Sequence, residues 1–321
     1  GLAIITSHRL AFSPPHLLKV VLIMTIVQWF FGGFVDLPHQ EYVASCIPMS
    51  HRGRYTGWSF SVGGVLSLFS SAIGWMILRQ CAKPLAFGYV LLMAWAFTQS
   101  GYLFSLLGRE KPTPVEKSPK AWSRGMLTAF WNDKPFVKFI SVTFLGNILI
   151  WGFLPFVNIF GFKEIKMIAA TSAIIMMITQ VVKISTSFGL GIVTDRIGPK
   201  RMYPLGFLVA ATAFLPPILL HNCWGVYISV ALSTLYVTTQ IPAQLAITYG
   251  LPKPENRSGH YAIQLLTNWG AMAVGPIMTG VMCDLLPFRV VFVIGGACAV
   301  GVFFIARRVM TGLSGEATAY G

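Results

Sequence analysis

Long apolar runs, interrupted by short polar breaks that carry glycine, proline and basic residues, set the rhythm of this chain. A run of about 18 or more apolar residues is long enough to cross a hydrocarbon core about 30 Å thick as a helix. On that measure the sequence predicts nine spans, near residues 17–46, 55–78, 85–107, 138–161, 167–193, 203–220, 223–250, 260–285 and 289–309. Helices are the expected form because backbone N–H and C=O groups find no water in lipid. The strict alternation of a membrane β-barrel is absent. The expected fold class is an all-α, polytopic membrane protein. Gly1 to Thr6 reads as the tail of an earlier helix, too short for a signal peptide, so the chain looks cut at its start.

Residues 108–137 break the rhythm. Their first half, REKPTPVEKSPKAWSRG, reads as a solvated linker, and the following MLTAFWNDKPFVK as a short amphipathic helix on the membrane surface. This stretch is expected to be a cytoplasmic linker between a helical bundle in 1–107 and a second in 138–321.

Composition agrees with the spans. The chain of 321 residues is 55% hydrophobic and 11% charged, against roughly 25% charged in soluble domains. In a soluble protein a net charge of +14 would suggest a nucleic-acid partner. Here it reflects basic residues beside membrane helices, which favour the cytoplasmic side, and no nucleic acid is expected. With 108–137 inside, sixteen Lys and Arg fall on the cytoplasmic side and seven on the other, with Lys183 inside a span. The C-terminus is therefore expected in the cytoplasm and the protein in the plasma (inner) membrane. The cysteines Cys46, Cys81, Cys223, Cys283 and Cys298 have neither metal-binding nor disulfide spacing. No metal, cofactor, phosphate-binding glycine loop or Ser-His-Asp context is found, and the chain is not read as an enzyme.

Two patterns carry more information. The first is an internal echo. Asp36-Leu37-Pro38-His39-Gln40, then Pro48 and His51-Arg52-Gly53, is matched by Gln240-Ile241-Pro242-Ala243-Gln244, then Pro252 and Asn256-Arg257-Ser258-Gly259. Pro38 and Pro242 lie 204 residues apart, and Arg52 and Arg257 lie 205 apart. Internal repeats of this kind build many transporters. The second pattern is the loop GLGIVTDRIGPKR, residues 189–201. Gly191 is followed by Asp195-Arg196, then Gly198, then Lys200-Arg201. A small residue ends a membrane helix, an acid sits at the water line, and a glycine turn carries cations into the next helix.

Loop and echo together resemble the major facilitator superfamily, whose members carry such a loop after the second helix and, more weakly, after the eighth. The resemblance implies two six-helix halves joined by a long cytoplasmic loop. It makes this chain helices four to twelve, nine of an expected twelve, truncated at the N-terminus. It further implies a latch: Asp195 by the start of the second span, with Arg54 as partner and Arg52 beside it, closing the cytoplasmic side. The glycine-proline motif of the family's drug antiporters belongs in its fifth helix, where this chain has Val62-Gly63-Gly64 without proline.

An ionisable group in lipid is costly and faces a cavity or a partner. Asp36, His39 and Gln40 share one helical face. Asp36 lies ten residues before Cys46, roughly 15 Å at 1.5 Å per residue. It reads as a proton or cation site, a substrate contact, or a hydrogen-bonding tie between helices. By the echo, Gln240 and Gln244 stand where Asp36 and Gln40 stand in the other half. Gln180 and Lys183 form a third polar pair, with Lys183 expected to point into the bundle toward Asp36 or an anionic substrate. Asn147, Trp151 and Asn158, with Gln264, Asn268 and Trp269, are candidates to complete a polar and aromatic lining. Glycines and serines from Gly57 to Gly74, and Gly270, Gly275 and Gly280, are expected where helices approach closely.

The expected function is secondary active transport of a small-molecule substrate by alternating access, coupled to protons through Asp36, by a monomer in the lipid bilayer. The alternative is a permease-like membrane sensor or scaffold that no longer transports.

Overall fold

Caps and prolines decide where the helices of this chain begin and end. The computed structural model describes residues 19–20, 22–28, 31–32, 52–81, 85–105, 128, 130–167, 171–251 and 257–317. Among these, every regular element is a helix: α1 Arg52–Gln80, α2 Leu85–Ser105, α3 Lys134–Lys163, α4 Thr171–Ile197, α5 Pro199–Ala213, α6 Leu215–Leu219, α7 Cys223–Gly250, α8 Arg257–Leu285 and α9 Phe288–Ala317. The described parts of residues 19–32 are helical as well. Asp36, His39 and Gln40 lie outside the described residues.

Helix α3 starts at Lys134 because the Asp133 side chain accepts from the Phe136 N–H at 3.1 Å and a proline occupies its first turn, where no N–H is missed. The amphipathic helix expected just before it is represented by Thr128 and Phe130–Asn132, with Phe130 buried and Trp131 exposed. Asn222 caps α7 through the Gly225 N–H at 3.2 Å. Gly198, at φ 94°, turns the chain from α4 into α5, a conformation that favours glycine.

The expected span 203–220 differs in two respects. It begins at Pro199 and is broken at Phe214 into α5 and α6. Pro216 and Pro217 have no N–H to continue the ladder and crowd the preceding turn. The carbonyl of Ala213, freed by the break, accepts from Ser229 Oγ of α7 at 2.5 Å. A broken backbone inside a membrane needs such a donor.

Five helical segments are long and apolar enough to cross a membrane among the described residues: Gly57–Ile77, Lys134–Lys163, Ile174–Ile197, Pro199–Leu219 and Phe288–Leu313. Helices α7 and α8 are as long but fall short of that apolarity, since they carry Gln240, Gln244, Gln264 and Asn268.

The chain divides into two compact units, residues 1–48 with 65–114, and residues 49–64 with 115–321. In the first, α2 meets the later part of α1 where Gly74 faces Val90 and Met93. In the second, α3 packs on α8 and α9, α7 on α5 and α4, and α9 on α5. Its core is aromatic: Phe139 meets Tyr203 with ring centroids 5.5 Å apart, Phe153 meets Phe214 at 6.1 Å, and Phe160 meets Phe292 at 5.5 Å. Glycine makes the fit at two places. A Cβ at Gly146 would run into the Phe207 ring, and one at Gly275 would lie 2.6 Å from the Ile148 carbonyl oxygen and 2.8 Å from the Gly152 nitrogen. Helices α3 and α8 thus touch backbone to backbone, the close approach small residues permit. Gly270 and Gly280 make only ordinary contacts, with Phe144 and Phe156.

Candidate functional site

Three carboxamides from three helices meet inside the second unit. Asn147 Nδ2 of α3 donates to Asn268 Oδ1 of α8 at 2.6 Å. Gln244 Nε2 of α7 approaches the same oxygen at 3.5 Å. Asn147 and Gln244 are each 8% exposed, and Asn268 between them is half-buried. The glycine contact between α3 and α8 brings Asn147 within reach of Asn268. One turn earlier on α7, Gln240 belongs to a second group. Tyr203 of α5 shares a hydrogen bond with Thr143 of α3 at 2.9 Å and is approached by the Gln240 carboxamide. Gly206 leaves the room for that carboxamide: a Cβ there would collide with it. Gln240 Oε1 is buried with no hydrogen-bond partner among the described residues. Gln264 is buried one turn before Asn268.

The α4 pair lies elsewhere. Lys183 is half-buried, with its ammonium 4.6 Å from the centroid of the Phe60 ring of α1. A cation over a ring face is attracted to the ring's negative quadrupole. Gln180, one turn earlier, has its Oε1 buried without a hydrogen-bond partner among the described residues. The early part of α1 crosses α4 here. A Cβ at Gly57 would lie 3.2 Å from the Ser187 carbonyl oxygen, and one at Gly64 2.6 Å from Ile184 Cγ1. Trp58 meets Phe188 edge to face at 6.0 Å. Thr186 of α4 hydrogen-bonds Thr238 of α7 at 3.1 Å.

So the structure joins Asn147, Gln244 and Asn268, sets Gln240 beside Tyr203, and turns Lys183 toward α1. Trp151 is exposed on α3 and stands apart from both groups. In the loop after α4, Gly191 is buried, while Asp195 and Arg196 are exposed at the end of the helix. Lys200 Nζ donates to the Leu313 carbonyl of α9 at 2.9 Å, and Arg201 is exposed on the first turn of α5. The backbones of Arg52 and Arg54 open α1; their side chains lie outside the description.

The sequence reading missed three features. Tyr203 and Thr143 gave no signal, since a tyrosine two residues after Arg201 looks interfacial. Phe60 was one aromatic among many. Asp133, which caps α3, also faces the buried His260 of α8, Oδ2 to Nε2 3.2 Å.

Comparison with known proteins follows this geometry. A sequence model of the Major Facilitator Superfamily matches residues 163–315, from the end of α3 through α9. That match takes in 153 of the 321 residues, so just under half of the chain is similar to that superfamily. Among curated proteins it resembles the multidrug resistance protein MdtG of Serratia proteamaculans (strain 568), at 24% identity over 210 residues. That match covers 63% of this chain and 49% of the relative, so it spans about half the relative's length. Solved superfamily structures share the fold. FucP in the outward conformation matches with a TM-score of 0.67 at 15% identity, over 96% of this chain and 78% of FucP. The human organic anion transporter MFSD10 matches at 0.63 and 14%, over 83% and 66%. A bacterial homologue of the iron transporter ferroportin matches at 0.63 and 16%, over 94% and 74%. Members of that superfamily cross the membrane many times, and five helical segments of this chain are long and apolar enough to do so among the described residues.

Proposed function

We propose that this chain is part of a secondary transporter that moves a small solute across the membrane by alternating access. The observation that carries the reading is the convergence of Asn147, Gln244 and Asn268 on one point from α3, α7 and α8. Buried carboxamides in a membrane bundle are costly unless paired or facing a polar ligand. Gln240, with an oxygen buried and unpartnered one turn away, extends the group toward a position where a solute hydroxyl or amine would complete the bonding. In the internal repeat Gln240 and Gln244 correspond to Asp36 and Gln40, and on this reading Asp36 is the proton site. FucP, described as a fucose:proton symporter, lends the proton its plausibility by fold. Asp195, with Arg54 at the start of α1 as its partner, would latch the cytoplasmic side, on which the C-terminus would also lie.

The test is uptake by the intact protein reconstituted in liposomes under an imposed proton gradient. Solutes would be drawn from those in the names of its relatives: drugs, organic anions and fucose. Accumulation that collapses with the gradient and is lost in Asp36→Asn supports the reading. Binding of a solute with no flux under any gradient would instead favour a sensor.

A further inference from the structure

The cations of the loop after α4 open onto a cavity of about 430 Å³ between α5 and α9. Lys200 and Arg201 line it from the first turn of α5, and Arg307 lines it from α9. No acidic side chain among the described residues is part of its walls. Among the described residues neither Arg201 nor Arg307 has a carboxylate within ion-pair distance. Lys200 is partly engaged, since its ammonium donates to the Leu313 carbonyl at 2.9 Å and ties the end of α9 to the start of α5. Three positive charges therefore share a small space that no described carboxylate neutralises.

The depth of the lining residues is ordered. Pro199 opens one candidate span and Leu313 closes another, so the cavity sits where both helices leave the membrane. Lys200, Arg201 and Thr311 lie at that edge. Arg307 is six residues inward from Leu313, roughly 9 Å at 1.5 Å per residue, and Leu205 is as far from Pro199. Phe303 is deepest, ten residues from Leu313 or roughly 15 Å. Leu205 is 41% exposed and the neighbouring Phe304 61%, so the inner wall opens sideways onto lipid-facing surface.

We infer that this cavity binds the headgroup of an anionic phospholipid, with the phosphate held by Arg201 and Arg307 and the first part of an acyl chain lying on Leu205 and Phe303. Guanidinium groups match phosphate oxygens bidentately. Basic pockets between membrane helices on the cytoplasmic side take anionic headgroups. A free phosphate would satisfy the same cations, yet it would leave the apolar inner half of the cavity unused. Bound there, the lipid would reinforce the Lys200 tie between α5 and α9 and steady the turn that carries Asp195. The site is independent of what the protein transports.

The test titrates the full chain, purified in detergent, with phosphatidylglycerol, and counts bound lipid by native mass spectrometry while following the unfolding midpoint. Phosphatidylcholine and inorganic phosphate serve as comparators. Phosphatidylglycerol should bind and raise the midpoint, and the double variant R201Q/R307Q should bind it roughly tenfold or more weakly, at about 1 kcal/mol per basic residue. Arg308→Gln removes the same charge from an exposed position outside the cavity and should leave binding unchanged. Should the double variant not fold, Arg201→Gln and Arg307→Gln singly carry the same reading with a smaller loss. Equal binding by R201Q/R307Q and the parent, or equal binding of phosphatidylcholine, overturns the site. Inorganic phosphate that binds as tightly as the lipid overturns the lipid assignment in favour of a soluble anion.

Discussion

Two helix crossings in the second unit use glycine in different ways. Where α3 meets α8, the obstacle to a Cβ at Gly275 is backbone, the Ile148 carbonyl and the Gly152 nitrogen and Cα, and the polar groups beside it bond one another. Where α1 meets α4 at Gly64, the obstacle is the Ile184 side chain, and the polar groups beside it are a lysine over an aromatic ring and a glutamine with an unpartnered oxygen. The first crossing is fixed at both levels, backbone and side chain. The second can yield at both. A transporter that rocks needs contacts that hold and contacts that part, and under the proposed function these are the two kinds.

The largest expected effect comes from Gly275→Ala. Alanine is the better helix former by roughly 0.5–1 kcal/mol, yet its Cβ cannot be accommodated unless α3 and α8 move apart. A net loss of about 2 kcal/mol or more is expected, read as a lowered unfolding midpoint in detergent, with loss of the Asn147–Asn268 bond. A midpoint within error of the parent would mean the crossing is looser than these distances. Asn268→Ala should follow at about 2 kcal/mol, because it strands two buried donors, Asn147 Nδ2 and Gln244 Nε2, without their shared acceptor. Asn147→Ala removes one donor and should cost less. A reversed order would show that Asn268 is not the hub.

How much of this was legible in the sequence differs between the crossings. Apolar runs and the polar breaks between them placed the helices, because a membrane demands a length of apolar residues. The break at Phe214 was written in Pro216-Pro217 but hidden by the unbroken hydropathy around it. For the amide cluster, the repeat drew attention to Gln240 and Gln244, and isolated polar residues in apolar helices drew it to Asn147 and Asn268. Which of them would touch depended on how closely α3 approaches α8, and that follows from Gly152 and Gly275 jointly. A single sequence does not reveal that these two glycines face each other. Lys183 was legible as an anomaly, its neighbour Phe60 was not, since cation–ring contacts leave no spacing rule between separate helices. Lys200 read as part of a gate; its bond to the Leu313 carbonyl spans 113 residues and has no local signal.

Lys183→Met sharpens the second crossing. The cation–ring contact contributes about 0.5–1 kcal/mol, and burying part of an ammonium in a bundle costs at least as much. The midpoint should stay level or rise by up to about 1 kcal/mol, while transport of any anionic solute falls. A clear drop in stability would show instead that the lysine is paired, and Asp36→Asn in the same background would then restore the lost stability if Asp36 is that partner.

The smallest effect, and the one that isolates the comparison, is Gly64→Ala. Its Cβ would stand 2.6 Å from Ile184 Cγ1, as close as the Gly275 Cβ to a carbonyl oxygen, so distance alone predicts equal damage. The obstacles differ in what they can do. The Ile184 side chain can leave its rotamer for about 0.5–1.5 kcal/mol, and the helix-propensity gain of roughly 0.5–1 kcal/mol offsets most of that. The expected change is within about 0.5 kcal/mol of zero. Gly57→Ala, 3.2 Å from the Ser187 carbonyl oxygen, tests the same crossing against backbone and should fall between the two. If Gly64→Ala costs as much as Gly275→Ala, Ile184 is locked by its neighbours, the α1–α4 contact is as rigid as α3–α8, and it is no longer a candidate for the contact that parts.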